Sequence, residues 1–195
     1  MSFAYVSIDL ETTGLSEDEC DIIEFSAVLD DLSVQDPIES LSVFHTYFIK
    51  ERYVGEPYAL SMHSELFRRI ASREKPYTYM TATKFGYSFK KFLVKNGYEE
   101  KHDQVVITAA GKNFAAFDLQ FLKRKTDILK HVNIRHKIID PAILLLNEND
   151  EVLPGTSECK VRIGMSDHVA HTATEDALDV VKMIRFALGD KMKAK

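Results

Sequence analysis

Asp9 and Glu11 stand two residues apart at the end of an apolar run, and Thr12, Thr13 and Gly14 follow them. Side chains alternate along a strand, so residues i and i+2 share a face. If residues 3–11 form a strand, Asp9 and Glu11 point one way, while Ala4, Val6, Ile8 and Leu10 line the other face. Two carboxylates held side by side repel and raise each other's pKa unless a cation lies between them. A hard divalent ion such as Mg2+ or Mn2+ prefers oxygen ligands and suits such a pair. The same pair also reads as a solvated strand end with two unrelated acids.

Two later segments carry further candidates. Asp118 falls in a stretch that reads as helix over 114–123, where its near neighbours are Phe114, Phe121 and Leu122. A carboxylate on an apolar stripe is costly unless it is paired, protonated or bound to metal. A satisfied buried Asp is the other reading. In the segment 167–177, Thr172 or Thr174 starts a helix with Ala177, Val180, Val181, Ile184 and Leu188 on its core stripe. Asp176 lies beside that stripe, and His171 precedes the helix where a loop can present it to a site. A helix-start acid that complements the dipole and a surface histidine would give the same letters.

These residues need a scaffold to bring them together. Strands are predicted over 3–11, 21–32 and 41–49, with connections short enough for an antiparallel meander. Helices follow over 59–71 and 81–96, the second carrying Phe85, Phe89, Phe92 and Leu93 at helical spacing. Residues 104–110 form a continuous apolar strand, and 133–139 another. The stretch 147–164 reads as a long irregular loop, a kind that usually has a function. Lys84, Lys90, Lys91 and Lys95, and the run Lys123-Arg124-Lys125, either meet phosphates or are solvated helix surfaces.

Composition sets the outer limits. The 195 residues suit one domain with a sizeable core. Hydrophobic content of 45% and charged content of 28% are ordinary for a soluble globular chain. No apolar run approaches the ~20 residues that span a bilayer, and no signal peptide is visible. Cys20 and Cys159 have no redox or ligand spacing, which fits a reducing, cytoplasmic compartment. The net charge of -5 argues against binding nucleic acid by bulk charge, but not against a metal-dependent nuclease.

Taken in order, the three acidic segments resemble the motifs of the DEDDh, or DnaQ-like, 3′–5′ exonucleases. The match runs from Ser7 to Ile184. Asp9-Leu10-Glu11-Thr12-Thr13-Gly14-Leu15 resembles the first motif closely. His171-Thr172-Ala173-Thr174-Glu175-Asp176-Ala177 resembles the third, with the histidine spacing of that subfamily. The second motif departs: three residues, Phe114-Ala115-Ala116, separate Asn113 from Phe117-Asp118, where the family commonly has two.

The resemblance implies an α/β, RNase H-like three-layer fold, with a mixed five-stranded sheet (first three strands antiparallel) flanked by helices, in a single exonuclease domain over 1–195. It implies two Mg2+ or Mn2+ ions held by Asp9, Glu11, Asp118 and Asp176, with His171 as general base. Backbone near Thr12 would recognise the 3′ hydroxyl, and Leu15 would pack against the terminal base. Asn113 would touch substrate, and Ser61-Met62-His63 resembles a segment that approaches the 3′ end in relatives. The implied partners are single-stranded nucleic acid 3′ ends. Small relatives include homodimers, a state open to this chain. Two other readings stay open: a non-catalytic nucleic-acid-binding module of the same fold, and a metal-dependent hydrolase of small nucleotides.

Overall fold

The computed structural model describes residues 3–34, 36–167 and 172–193. Strand β1 (Ala4–Thr12) pairs antiparallel with β2 (Ile22–Asp31), and β2 pairs antiparallel with β3 (Val43–Phe48). The predicted meander is therefore present. A two-residue strand, β4 (Tyr79–Met80), adds to the outer edge of β3 in parallel. Between them lie α1 (Pro57–Met62) and α2 (Ser64–Ser72). The single helix expected over 59–71 is thus broken at His63, whose φ of -91° and ψ of 20° leave helical geometry.

Helix α3 (Ala82–Lys95) packs on one face of the sheet. Its Phe85, Phe89 and Leu93 meet Val6, Ile8, Leu10, Phe25 and Ala27, the even side of β1 and the matching side of β2. Phe25 and Phe85 make an edge-to-face contact with centroids 4.6 Å apart. The helix ends at Asn96, and Gly97 takes a left-handed φ of 89°, so that the amide of Tyr98 can bond the Leu93 carbonyl. On the opposite face lies α8 (Ala173–Lys193). Its Ala177, Val180, Val181 and Ile184 bury against Tyr5 and Val28. Helix, sheet and helix make three layers.

The rest of the sheet differs from expectation. The run 104–110 is not one strand. It divides at Thr108 into β6 (Gln104–Ile107) and β7 (Ala109–Ala110), with β5 (Glu100–Lys101) preceding them. Only β7 joins β1, in parallel at Val6 and Ser7. β6 turns away and pairs with β5 and with β8 (Val132–Ile134) in a separate three-stranded sheet. The main sheet has five strands in the order β4-β3-β2-β1-β7. The strand expected over 133–139 shrinks to β8 and a single bridge from Ile139 to Ala110. Helices α4 (Asp118–Lys125), α5 (Ile128–His131), α6 (Pro141–Leu144) and α7 (Thr156–Arg162) complete the chain. α7 lies inside the stretch expected to be an irregular loop.

Candidate metal centre

The odd-numbered side of β1 builds the site. Tyr5, Ser7, Asp9 and Glu11 face α8, and Ser7 Oγ donates to the Ala177 carbonyl at 2.8 Å, fixing the helix against the strand. Asp9, Glu11 and Asp176 each present a carboxylate oxygen, and these oxygens all lie within 4.8 Å of one another. Asp176 reaches them from the first turn of α8. Thr172 caps that turn: its hydroxyl accepts the Glu175 amide and donates to the Glu175 carboxylate. The Thr-x-x-Glu spacing is that of a capping box, with the Glu175 carboxylate here taking the Thr172 hydroxyl instead of its backbone amide.

Asp118 enters from the other side. β7 covers β1 only at Val6 and Ser7, so the Leu10 amide lies beyond that pairing. Asp118 Oδ1 accepts it at 3.1 Å. Asp118 is the first residue of α4 rather than a mid-helix residue, and 113–117 form a turn that leads into it.

Glu24 also belongs to this cluster. It lies directly across from Glu11, is 2% exposed, accepts the Ala173 amide at 3.2 Å and sits 2.6 Å from His45 Nε2. The β1–β2 register slips by one residue here, pairing Glu11 with Glu24 but Thr12 with Ile22. The extra residue, Ile23, is a bulge, a device that often re-aims side chains next to sites. An acid inside the apolar run of β2 was the available signal for Glu24.

The electrostatics follow from burial and crowding. Loss of solvent, then repulsion from Asp118, Glu11, Asp176 and Glu24, raises Asp9 well above the usual carboxylate range. Glu11 is pushed up to about 8 by burial and then by Glu24, Asp176 and Asp118. Burial lifts Asp118 to about 7, against the pull of its backbone hydrogen bonds. Among the described residues, no lysine or arginine is paired with Asp9, Glu11, Glu24 or Asp118. His45 Nε2 lies 2.6 Å from Glu24, and His63 Nε2 lies 3.3 Å from Glu11. The crowded carboxylate oxygens of Asp9, Glu11 and Asp176 form a donor set that fits a hard divalent cation.

The turn after β1 is bolted in place. The Glu56 amide donates to the Thr13 carbonyl at 2.7 Å, and Thr13 Oγ1 donates to the Val54 carbonyl at 2.5 Å. Glu56 Oε1 accepts the Leu15 amide at 3.0 Å. A Cβ on Gly14 would sit 2.8 Å from that Glu56 carboxyl group, and one on Gly55 would sit 2.3 Å from Thr13 Cβ. Both close approaches require glycine. Asp21 completes the junction through Lys50 and the Val54 amide.

The other expected site residues fall as follows. Thr12 is buried, and its hydroxyl donates to the Gly14 carbonyl at 2.8 Å. Leu15 stands 74% exposed at the rim. His63 is 2% exposed, with Nε2 3.3 Å from Glu11 Oε2, so its imidazole meets a carboxylate of the cluster rather than open solvent. Asn113 is an exposed turn residue with a left-handed φ of 60°; its amide donates to Asp140 Oδ2. Asn is among the few non-glycine residues that tolerate this conformation. His171, the expected general base, lies outside the described residues. Tyr58, at the start of α1 two residues after Glu56, is 79% exposed and was not singled out from the sequence. A cavity of about 630 Å3 opens beside Glu24 and Thr172, walled by His45, Tyr47, Tyr77 and Arg69.

No protein-family model matches this chain, and no curated protein matches it significantly.

Proposed function

We propose that this chain is a metal-dependent 3′–5′ exonuclease of the DEDDh type, with an RNase H-like fold, acting on single-stranded 3′ ends and releasing nucleoside 5′-monophosphates. One observation carries the reading. Carboxylates from two distant parts of the chain, Asp9 and Glu11 on β1 and Asp176 on α8, converge within 4.8 Å, in the order and spacing of the family's motifs.

Asp9, Glu11 and Asp176 would hold divalent Mg2+ or Mn2+, and Asp118 would support the site through its place beside Leu10. Two such ions, when bound, supply Lewis acidity and charge stabilisation at a phosphodiester. His171, two residues before α8, takes the proton from the attacking water as general base. His63 and the Glu24–His45 pair hold carboxylates in place, a role in which outer partners orient metal ligands. Leu15, exposed just past the first motif, offers apolar surface against which the terminal base packs. The bolted turn at Thr12–Gly14 presents backbone groups to the 3′ hydroxyl.

The test uses 5′-labelled single-stranded DNA and RNA of one sequence, incubated with Mn2+ or with EDTA. The expected result is a metal-dependent ladder that shortens from the 3′ end, with the faster substrate revealing the preferred sugar. Endonucleolytic fragments, or cleavage that persists in EDTA, would refute the reading.

A further inference from the structure

The basic run Lys123-Arg124-Lys125 is divided by the fold. Arg124 pairs with Asp18 at 2.7 Å, and Lys125 donates to the Asp18 carbonyl at 2.9 Å. Those two cations tie the end of α4 to the loop after β1. Lys123 instead lines a cavity of about 500 Å3, together with Arg135. Lys123 stands roughly 140° around α4 from Asp118, at 3.6 residues per turn. The cavity shares no lining residue with the carboxylate cluster, so it is a surface in its own right. Its floor is aliphatic, with Leu119, Ile134 and Ile138. Strand β8 forms one wall, and among the described residues no strand pairs with its outer edge. An open strand edge beside side-chain pockets suits a length of polypeptide. Among the described residues, no carboxylate pairs with Lys123 or Arg135. The polypeptide that fits therefore carries acids and aliphatic side chains.

This chain contains such a segment. Between α6 and α7, Glu148, Glu151, Val152 and Leu153 are all exposed, Val152 at 78%. Among the described residues, no cation pairs with Glu148 or Glu151. The base of the segment is anchored. Asp150 accepts the Asn147 amide at 2.8 Å, and Arg162 of α7 holds both Asp150 oxygens, at 2.6 and 2.7 Å. Arg162 also donates to the Leu145 carbonyl at 2.7 Å, and Pro154 is buried. Anchoring of this kind leaves little conformational freedom to lose on binding.

We infer that this cleft takes the segment 148–153 of a second copy of the chain, with Val152 and Leu153 on the aliphatic floor and Glu148 and Glu151 against Lys123 and Arg135. A two-fold axis repeats the contact and gives a reversible dimer. The protein is acidic overall, so two copies repel except where a cationic cleft meets an acidic segment. The interface depends neither on a metal nor on the exonuclease reading.

The experiment is sedimentation velocity of the full chain at micromolar concentrations, over a range of salt. It compares the wild type with two double variants, Lys123→Glu with Arg135→Glu, and Glu148→Lys with Glu151→Lys. All four side chains are exposed, so the fold should tolerate the changes, which circular dichroism checks. The wild type should form a dimer that weakens with salt. Each double variant should raise the dimer Kd roughly 10-fold or more, because like charges then face each other. The second variant is less acidic overall, so the loss of its dimer is not general repulsion. An equimolar mixture of the two variants should restore the dimer, since the acidic cleft of the first meets the basic segment of the second. A wild type that stays monomeric would overturn the proposal and leave the cleft to a different acidic polypeptide. A dimer that neither double variant weakens would place the contact elsewhere and overturn it. So would a mixture that stays monomeric, because these charges then do not meet.

Discussion

The same three elements, β1, β2 and α8, enclose buried acids at both ends, and the two ends are built on opposite principles. At one end Asp30 of β2 is fully neutralised. The Tyr5 hydroxyl donates to it at 2.6 Å, Arg185 of α8 bridges both of its oxygens, and Arg185 also donates to the Asp36 carbonyl at 2.6 Å. The bond to Asp30 holds the guanidinium more firmly charged. At the other end Glu11 faces Glu24 across the same pair of strands, Asp176 arrives from the same helix, and no arginine or lysine is paired with Glu11 or Glu24 among the described residues. A chain able to place an arginine opposite a buried acid at Asp30 leaves the Asp9 cluster with crowded carboxylates and histidines. Buried carboxylates crowded in this way lower the stability of the empty fold and are frequent at functional sites. Asp30 holds the fold together, and the contrast supports the proposal that the Asp9 cluster binds a cation.

The largest expected effect comes from breaking the compensated end. Arg185→Met leaves Asp30 buried without its cation, a change that costs roughly 3–5 kcal/mol. Urea unfolding should show this loss, while Mn2+ affinity of the folded protein stays within a few-fold of wild type. A loss of Mn2+ binding as large as the loss of stability would mean that the two ends are not separable.

At the crowded end the effects differ. His171→Ala should slow turnover by roughly 100-fold, about 2.7 kcal/mol of transition-state stabilisation, and leave Mn2+ bound. Full activity from pH 5 to 9 in that variant would remove His171 from the role of base. Glu11→Gln should abolish exonuclease activity yet raise Tm in EDTA by about 2–4 °C, near 1 kcal/mol for a chain of this size, because a repelling charge is gone. A lower Tm in EDTA would show that Glu11 is stabilising without metal, contrary to the comparison.

The pH dependence sharpens the same point. Glu11 is held at about 8 in the fold against an ordinary 4.5, and Asp118 at about 7 against 3.8. Groups with raised values favour the folded state most when protonated. Their contribution is complete below about pH 4 and is lost as pH climbs to about 8. Metal-free protein should therefore unfold at lower urea at pH 8 than at pH 5.5. Mn2+ at 100 times its Kd should add about 2.7 kcal/mol at pH 8, and less at pH 5.5, where protons compete for the same oxygens. A metal-free stability that rises with pH across this window would contradict the crowding. The smallest effect belongs to the rim. Leu15→Ala should raise KM for a 3′ end several-fold and change stability by no more than about 0.5 kcal/mol.

Much of this arrangement was legible in the residues. The period of two in β1 puts Asp9 and Glu11 on one face, and the helical stripe of Ala177, Val180, Val181 and Ile184 turns Asp176 inward with them. Asp118 reads as an acid among Phe114, Phe121 and Leu122, and all three are buried. What failed to show has physical reasons. A continuous apolar run such as 104–110 carries no alternation, so it does not say that the chain changes sheets at Thr108. Glu24 lies in a run whose register depends on the Ile23 bulge, and a bulge leaves no periodic trace. The helix break at His63 comes from tertiary contact, since turning there buries the imidazole against Glu11. Spacing suggests that His63 ends a helix-forming stretch no better than it suggests that His63 continues one.

The most direct test of the central claim is calorimetric titration of Mn2+ into EDTA-stripped protein at pH 8, wild type against Asp9→Asn. Asp9 is crowded by every other carboxylate of the cluster and has no compensating ammonium or guanidinium among the described residues. The account predicts saturable Mn2+ binding by the wild type, and loss or at least 10-fold weakening of it in the variant, with the metal-free variant no less stable than wild type. Undiminished Mn2+ binding by Asp9→Asn would contradict the assignment of this cluster as the metal centre.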